Sequence, residues 1–283
     1  MDSAILYRDP VFPPDQPQPG AMSLRIAGKR GALLSLLYTP GGMGLHPAVL
    51  LCHGYPGSEQ NLDLAQALRR VGFAVMTFHY SGSWNSEGDF SFTNCLEDSH
   101  TVLDAMIENA DAWQIDPKRL FVVGHSMGGL MAGHLLAGCD ILRGGVLITP
   151  FDVGRLFLHR DEEGCRRNLY EVLSCGYGWL NGVSEEGFDR ELTEHAQELA
   201  MEPLAPKLAQ KPLLCIGATE DVDTPIAHHV GPLSEAIKKQ EPADFTYTIF
   251  ETDHGFNNSR LALCQCVTAF LYDRGIGRKE QYR

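Results

Sequence analysis

Short apolar runs recur along the chain at Ala48–Cys52, Phe73–Phe78, Leu120–Val123, Gly145–Ile148, Leu213–Ile216 and Phe245–Phe250, and each reads as a buried strand. Between and after them, stretches with apolar residues at helical spacing predict helices over about 59–71, 94–109, 127–138, 225–239 and 258–273. Upstream, Met22–Ile26 and Ala32–Tyr38 flank Gly28-Lys29-Arg30-Gly31, the pattern of an antiparallel hairpin. Continuous apolar strands separated by helices imply an α/β class: a mainly parallel, doubly wound sheet covered on both faces. Two stretches depart from this rhythm. Residues 9–20 contain Pro10, Pro13, Pro14, Pro17 and Pro19, which suit an extended arm. Residues 151–210 are richer in charge and aromatics and show no clear strand, so they read as a helical insertion above the sheet. The expected organisation is therefore an arm over 1–21, a core over 22–150 and 211–283, and an insertion over 151–210.

The strand-to-helix junction at Leu120–Leu136 carries Gly124-His125-Ser126-Met127-Gly128, a G-x-S-x-G pentapeptide. A serine on such a tight turn projects its hydroxyl above the sheet, where a base can reach it. The glycines permit the sharp turn and close helix packing. The helix N-terminus behind the serine offers N–H groups and a positive dipole end to developing negative charge. A glycine-rich turn with an ordinary surface serine is the alternative, and the flanking strand and helix weigh against it.

A serine hydroxyl needs a neighbouring base, itself oriented by an acid. With the nucleophile on this kind of turn, the partners follow in the order serine, acid, histidine, each after a strand. His254, in Thr252-Asp253-His254-Gly255-Phe256, leaves the last expected strand, whereas His228 and His229 fall inside an expected helix as packed or exposed residues. The acid belongs in Gly217-Ala218-Thr219-Glu220-Asp221-Val222-Asp223-Thr224-Pro225, where three carboxylates compete. Counting back from Pro225 favours Asp221, and counting forward from Gly217 favours Glu220. The unused acids are expected to be solvated or, for Asp223, a helix cap. Two backbone N–H donors are required for the oxyanion. Met127 supplies one; Tyr55, in His53-Gly54-Tyr55-Pro56-Gly57, is the candidate for the other, since Pro56 has no N–H. His53 is read as bracing that turn.

Charge and cysteine content narrow the partners. The 23 Lys+Arg against 36 Asp+Glu give a net charge of −13, a surface that repels nucleic acid and anionic lipid. No apolar run approaches a bilayer's span, and the first residues lack a signal-peptide pattern. The eight cysteines are scattered without a CxxC pair, which fits free thiols in a reducing cytoplasm and no metal site.

The motifs His53-Gly54-Tyr55-Pro56-Gly57, Gly124-His125-Ser126-Met127-Gly128-Gly129, Gly217…Asp221…Pro225 and Asp253-His254-Gly255-Phe256 together resemble the α/β-hydrolase superfamily over residues 22–273. Ser86-Glu87-Gly88-Asp89-Phe90 is similar to a segment of feruloyl/cinnamoyl esterases and of small prolyl-oligopeptidase-like hydrolases. Phe78-His79-Tyr80-Ser81-Gly82 departs from the F-D-x-R-G of many such relatives, and the missing Asp and Arg concern loop bracing. The resemblance implies an α/β-hydrolase fold, a lid at 151–210 and a Ser-His-Asp triad of Ser126, His254 and Asp221. It implies no cofactor and no metal. The expected activity is cleavage of small acyl or aryl carboxylic esters through an acyl-enzyme, with a small-molecule substrate and neither nucleic acid nor membrane as partner. A homodimer is compatible with the sequence. In the lid, Phe151, Tyr177 and Trp179 are the expected substrate-facing residues. An aminopeptidase-like or thioester hydrolase uses the same triad, and a non-catalytic binding protein would keep the fold and pocket.

Overall fold

The computed structural model describes residues 3–277; Met1 and Asp2 of the expected arm and residues 278–283 of the expected core lie outside the described residues. The arm opens with a 3-10 turn over Ser3–Tyr7, whose Leu6 packs against the core, and then runs irregularly to Gly20. That short helical turn is a departure from the fully extended arm, and the burial of Leu6 accounts for it.

The hairpin forms as expected. β1 (Gly20–Gly28) and β2 (Gly31–Thr39) pair antiparallel with Gly28 opposite Gly31 across the Lys29-Arg30 turn. In chain order there follow β3 (His46–Cys52), α1 (Leu62–Arg70), β4 (Ala74–Phe78), α2 (Phe92–Glu108), β5 (Ile115–His125), α3 (Met127–Gly138) and β6 (Leu142–Ile148). After a helical segment come β7 (Leu213–Ala218), α8 (Val230–Lys238), β8 (Phe245–Phe250) and α9 (Arg260–Gly275). The eight strands form one sheet in the order β1-β2-β4-β3-β5-β6-β7-β8, parallel from β4 through β8. β5 begins earlier than its apolar run suggests. His46 pairs with Ile115, and Arg119 anchors the intervening polar residues through Asp116 (2.6 Å) and the Gly275 carbonyl (3.0 Å).

Strand alternation divides the core into two layers. Ala48, Leu50, Leu120 and Val122 face one cluster with Leu103, Met106, Leu130 and Leu135 from α2 and α3. Val49, Leu51, Phe121 and Val123 face the other, with Leu64, Leu68, Leu263 and Leu271 from α1 and α9. α3 is apolar nearly all round and has no polar face to offer water, so it is buried along almost its whole length.

Between β6 and β7 the chain forms α4 (Val153–Leu158), α5 (Glu163–Ser174), α6 (Glu185–Leu199), a 3-10 turn (Glu202–Leu204) and α7 (Ala205–Leu208). α6 starts on a Ser184 cap whose hydroxyl accepts from Gly187 N–H, as Ser91 does for Asn94 at α2. Asp152 caps α4 and is fully enclosed: its two oxygens accept from Arg155 N–H (3.0 Å) and Met201 N–H (3.2 Å), yet burial still raises its pKa to about 7.

Candidate active site

β3 and β5 are hydrogen-bonded neighbours, and their register places Cys52 beside Gly124. The loops that leave their carboxyl ends therefore emerge side by side, at the point where the strand order reverses and ligand crevices form. The contact there is close. A Cβ on Gly54 would lie 3.0 Å from Ser126 Cβ, one on Gly128 would lie 2.0 Å from the Cys52 carbonyl oxygen, and one on Gly124 would lie 1.8 Å from that of Gly128. Glycine at 124 and 128 is thus a packing requirement of the turn.

Ser126 sits at φ 58°, ψ −124°, a conformation that costs a non-glycine residue about 1–3 kcal/mol and persists only when its surroundings impose it. They do. Ser126 N–H donates to Ile148 O (2.9 Å), and its own carbonyl accepts from Gly129 N–H (2.8 Å) and Phe151 N–H (2.9 Å). Met127 opens α3, so its N–H has no intrahelical acceptor. Tyr55 N–H, in the adjoining loop, donates to no protein group among the described residues. His53 is buried and donates from Nδ1 to Gly54 O (2.7 Å), inside the same turn that it was expected to brace; burial lowers its pKa to about 3. Tyr80 Oη donates to His53 O (3.2 Å) and Trp84 Nε1 to Pro56 O (3.0 Å), holding the turn from the loop after β4.

His254 follows β8 and Asp221 follows β7. His254 Nδ1 donates to Asp221 Oδ2 at 2.7 Å, which fixes the tautomer with an unprotonated Nε2 when the ring is neutral. Asp221 has a side chain fully shielded from solvent. Its Oδ1 accepts from Asp223 N–H (2.9 Å) and Thr224 N–H (2.7 Å), and its Oδ2 from the Thr224 hydroxyl (2.6 Å). Burial pushes this carboxyl's pKa up, but the hydrogen bond and charge of His254 together with the Thr224 donors outweigh it and hold it below the ordinary value. Glu220, the rival acid, is exposed, and among the described residues only its backbone is engaged, donating to Thr252 O. Asp221, Asp223 and His254 bring ligand-type atoms within 4.8 Å of one another, but Asp221 is surrounded by N–H and O–H donors, which favour an anion and disfavour a cation there.

The helix expected over 225–239 starts only at Val230. His229, at its N-terminal boundary, is buried with Nδ1 accepting from Asp152 N–H (3.0 Å) and Nε2 facing Asn168 Oδ1 (2.8 Å), so residues 225–229 are held in turns. Asp223 consequently lies too far upstream to cap that helix.

Sequence reasoning missed several contributors. Thr224 fixes Asp221. His125, the x of G-x-S-x-G, donates from Nε2 to His254 O (2.9 Å) and accepts at Nδ1 from Asn61 Nδ2 (3.2 Å). Asn61 in turn accepts from Arg260 (3.1 Å), which pairs with Asp63. A histidine directly before the serine was the available signal. The bracing absent from residues 78–82 comes from buried Asp98 on α2, which accepts from Ser81 N–H (2.7 Å) and Ser81 Oγ (3.0 Å).

Of the three insertion residues singled out, Phe151 is fully buried between Phe92 (6.4 Å) and His229 (5.4 Å). Tyr177 is half-buried against Phe188 (6.3 Å). Trp179 is 66% exposed beside Trp84 (6.0 Å), at a cavity of about 370 Å³ shared with Gly82, Asn85 and Asn181.

A sequence profile described as the alpha/beta hydrolase family matches residues 49–263. Among curated proteins, a lysophosphatidylserine lipase of Danio rerio, ABHD12, is 31% identical over 99 residues, 34% of this chain and 25% of that protein. An uncharacterised 31.7 kDa protein of Escherichia coli is 30% identical over 100 residues, 35% of this chain and 34% of that one. The matches thus span about a quarter to a third of those relatives' lengths. Among solved structures, the Pyrococcus furiosus esterase Pf2001 superposes with a TM-score of 0.67 at 17% identity, covering 90% of this chain and 93% of that one. The Pyrococcus horikoshii acylaminoacyl peptidase superposes at 0.69 and 16% identity, covering 92% of this chain and 42% of that one. At these identities the superpositions bear on the fold alone. Among the described residues no helix is long and apolar enough to cross a membrane, and all eight cysteines are free thiols.

Proposed function

The chain belongs to the alpha/beta hydrolase family, and we propose that within it the protein is a serine hydrolase of small acyl or aryl carboxylic esters. The observation that carries this reading is the 2.7 Å bond from His254 Nδ1 to a shielded Asp221 carboxylate, with His125, the residue before a serine held at positive φ, lying against the His254 ring at 4.8 Å. In the proposed reaction Ser126 Oγ attacks the ester carbonyl while His254 Nε2 takes its proton, and Asp221 stabilises the imidazolium. The oxyanion is received by the N–H groups of Met127 and Tyr55. Collapse expels the alkoxide, which takes the proton from His254 and leaves an acyl-Ser126. Water, deprotonated by His254, then cleaves the acyl-enzyme and restores the serine. No cofactor enters this cycle.

Residues 151–210 act in this reading as a lid, with Tyr177 and Trp179 at the acyl or aryl side and Phe151 behind them. An esterase and an acylaminoacyl peptidase share this fold, so ester and amide cleavage are the two competing readings. An ester requires less help from the general acid than an amide does, because alkoxide is the better leaving group. The free thiols support a reducing compartment such as the cytoplasm. A fluorophosphonate probe tests the mechanism: labelling at Ser126 is expected, and its absence under native conditions would favour a binding protein. A panel of nitrophenyl and hydroxycinnamoyl esters against aminoacyl amides tests the substrate class.

A further inference from the structure

We propose that the side chain of Tyr55 is a positioning element that transmits the placement of the 151–210 insertion to the oxyanion-binding turn; this rests on the reading of Tyr55 N–H as an oxyanion donor. Tyr55 leaves the β3 turn and reaches into the insertion. Its Oη donates to Leu173 O at 2.7 Å, in the last turn of α5. The same oxygen, at the end of α5, also accepts from Gly176 N–H at 3.2 Å. The approach is possible only because residue 176 is glycine: a Cβ there would lie 1.9 Å from Tyr55 Oη and 2.3 Å from Cζ. The ring is also gripped by Phe90 (5.5 Å) and Phe92 (6.3 Å) from the β4–α2 region and by Phe188 (6.3 Å) from α6.

The neighbours of Tyr55 are tied down within the core. His53 O and Pro56 O are held by Tyr80 and Trp84, and Gly54 O by the His53 ring. Tyr55 itself takes its side-chain hydrogen bond from the insertion. With Tyr55 N–H read as an oxyanion donor, one residue serves the reacting centre through its main chain and α5 through its hydroxyl, which donates to Leu173 O. A catalytic donor must be held within about 0.5 Å of its productive position. A shift of α5 pulls on Oη, turns residue 55 and misaims its N–H, so an insertion seated on substrate assembles the oxyanion site and a displaced one loosens it.

Tyr55→Phe removes only the hydroxyl, and Gly176→Ala pushes the ring out of its slot. Losing a whole oxyanion donor costs about 100- to 1,000-fold in kcat; misaiming one is expected to cost about 10-fold in each variant on a short nitrophenyl ester, with KM changed less than about twofold and melting within about 4 °C of the parent. Because both changes break the same tether, the double variant should lose no more kcat than Gly176→Ala alone. Fluorophosphonate labelling of Ser126 is followed alongside. If the parent labels at Ser126 but Tyr55→Phe keeps kcat within twofold, loses only in KM, or adds fully to Gly176→Ala, the tether is overturned and the serine-hydrolase reading stands. If the parent does not label, both are overturned.

Discussion

His125 lies over His254, with ring centroids 4.8 Å apart and planes inclined by 30°, and its Nε2–H donates to the main-chain carbonyl of His254 at 2.9 Å. The residue before the proposed nucleophile thus supports the backbone of the proposed base. Burial, reinforced by the charge of His254, lowers the His125 pKa to about 3. It therefore stays neutral when His254 takes up a proton, and no second imidazolium opposes the first.

That support is testable. His125→Ala removes the donor to His254 O and opens space beside the imidazole, and it is expected to lower kcat about 10-fold through loosened orientation of the base. His125→Gln, which retains an N–H donor, should recover part of the loss. Steady-state rates on a nitrophenyl ester decide; equal rates in the parent and His125→Ala would remove the supporting role.

Ser126→Ala should abolish acyl-enzyme formation in a folded protein, since losing the nucleophile of such a unit costs up to about a million-fold in turnover. Asp221→Asn is expected to cost about 10,000-fold, as loss of the orienting carboxylate does in a comparable triad. Glu220→Gln, on an exposed side chain, should stay near the parent rate. The opposite ranking would move the acid's role to Glu220.

Acid should destabilise the fold. Burial holds His53, His125 and His229 at pKa values of about 3, against 6.5 in the unfolded chain, so below about 6 the unfolded chain binds protons that the folded one refuses. Asp152 acts the other way. Raised from 3.8 to about 7, it keeps a proton in the folded state that the unfolded chain releases, which offsets one histidine. With three histidines set against one carboxyl, the net is a loss of stability as the pH falls from about 6 to about 4.5. Urea midpoints at a series of pH values measure it, and a flat midpoint across that window would contradict the neutral burial of the three histidines.

Trp179→Ala and Tyr177→Ala should change the ranking of acyl and aryl groups more than the rate on the smallest ester. A fitted methylene is worth about 10-fold or more in discrimination, so a shift of that size in the ratio of kcat/KM between butyrate and hydroxycinnamate esters is expected. A uniform drop for all esters would place these residues in the scaffold instead. Cleavage of aminoacyl amides as efficient as that of the best ester would remove the esterase assignment while leaving Ser126 and His254 in their roles.

Much of the architecture was legible because the signals were periodic or punctuated. β8 runs over Phe245–Phe250 and α3 over Met127–Gly138, both as their patterns indicate. Failures occurred where a tertiary contact overrode local preference: His229 looks helical by position, but its ring nitrogens are spent on Asp152 and Asn168, so α8 starts after it. The choice among Glu220, Asp221 and Asp223 had no local answer. It depends on which carboxylate the Thr224 hydroxyl and two backbone N–H groups surround, a matter of loop geometry that spacing does not encode. Thr224 and Asn61 carried no motif and are recognisable only through their partners.

The strand order has a thermal consequence. Ser126 leaves β5, in the interior of the sheet and paired on both sides, whereas His254 leaves β8, an edge strand, paired among the described residues only with β7. Edge elements open at lower free energy than central ones. The proposed nucleophile and base therefore belong to parts of the molecule with different local stabilities. On warming, the chemistry should fail by release of His254 while the Ser126 turn is still formed, so inactivation should run a few degrees ahead of global melting, with amide exchange rising first along 245–259.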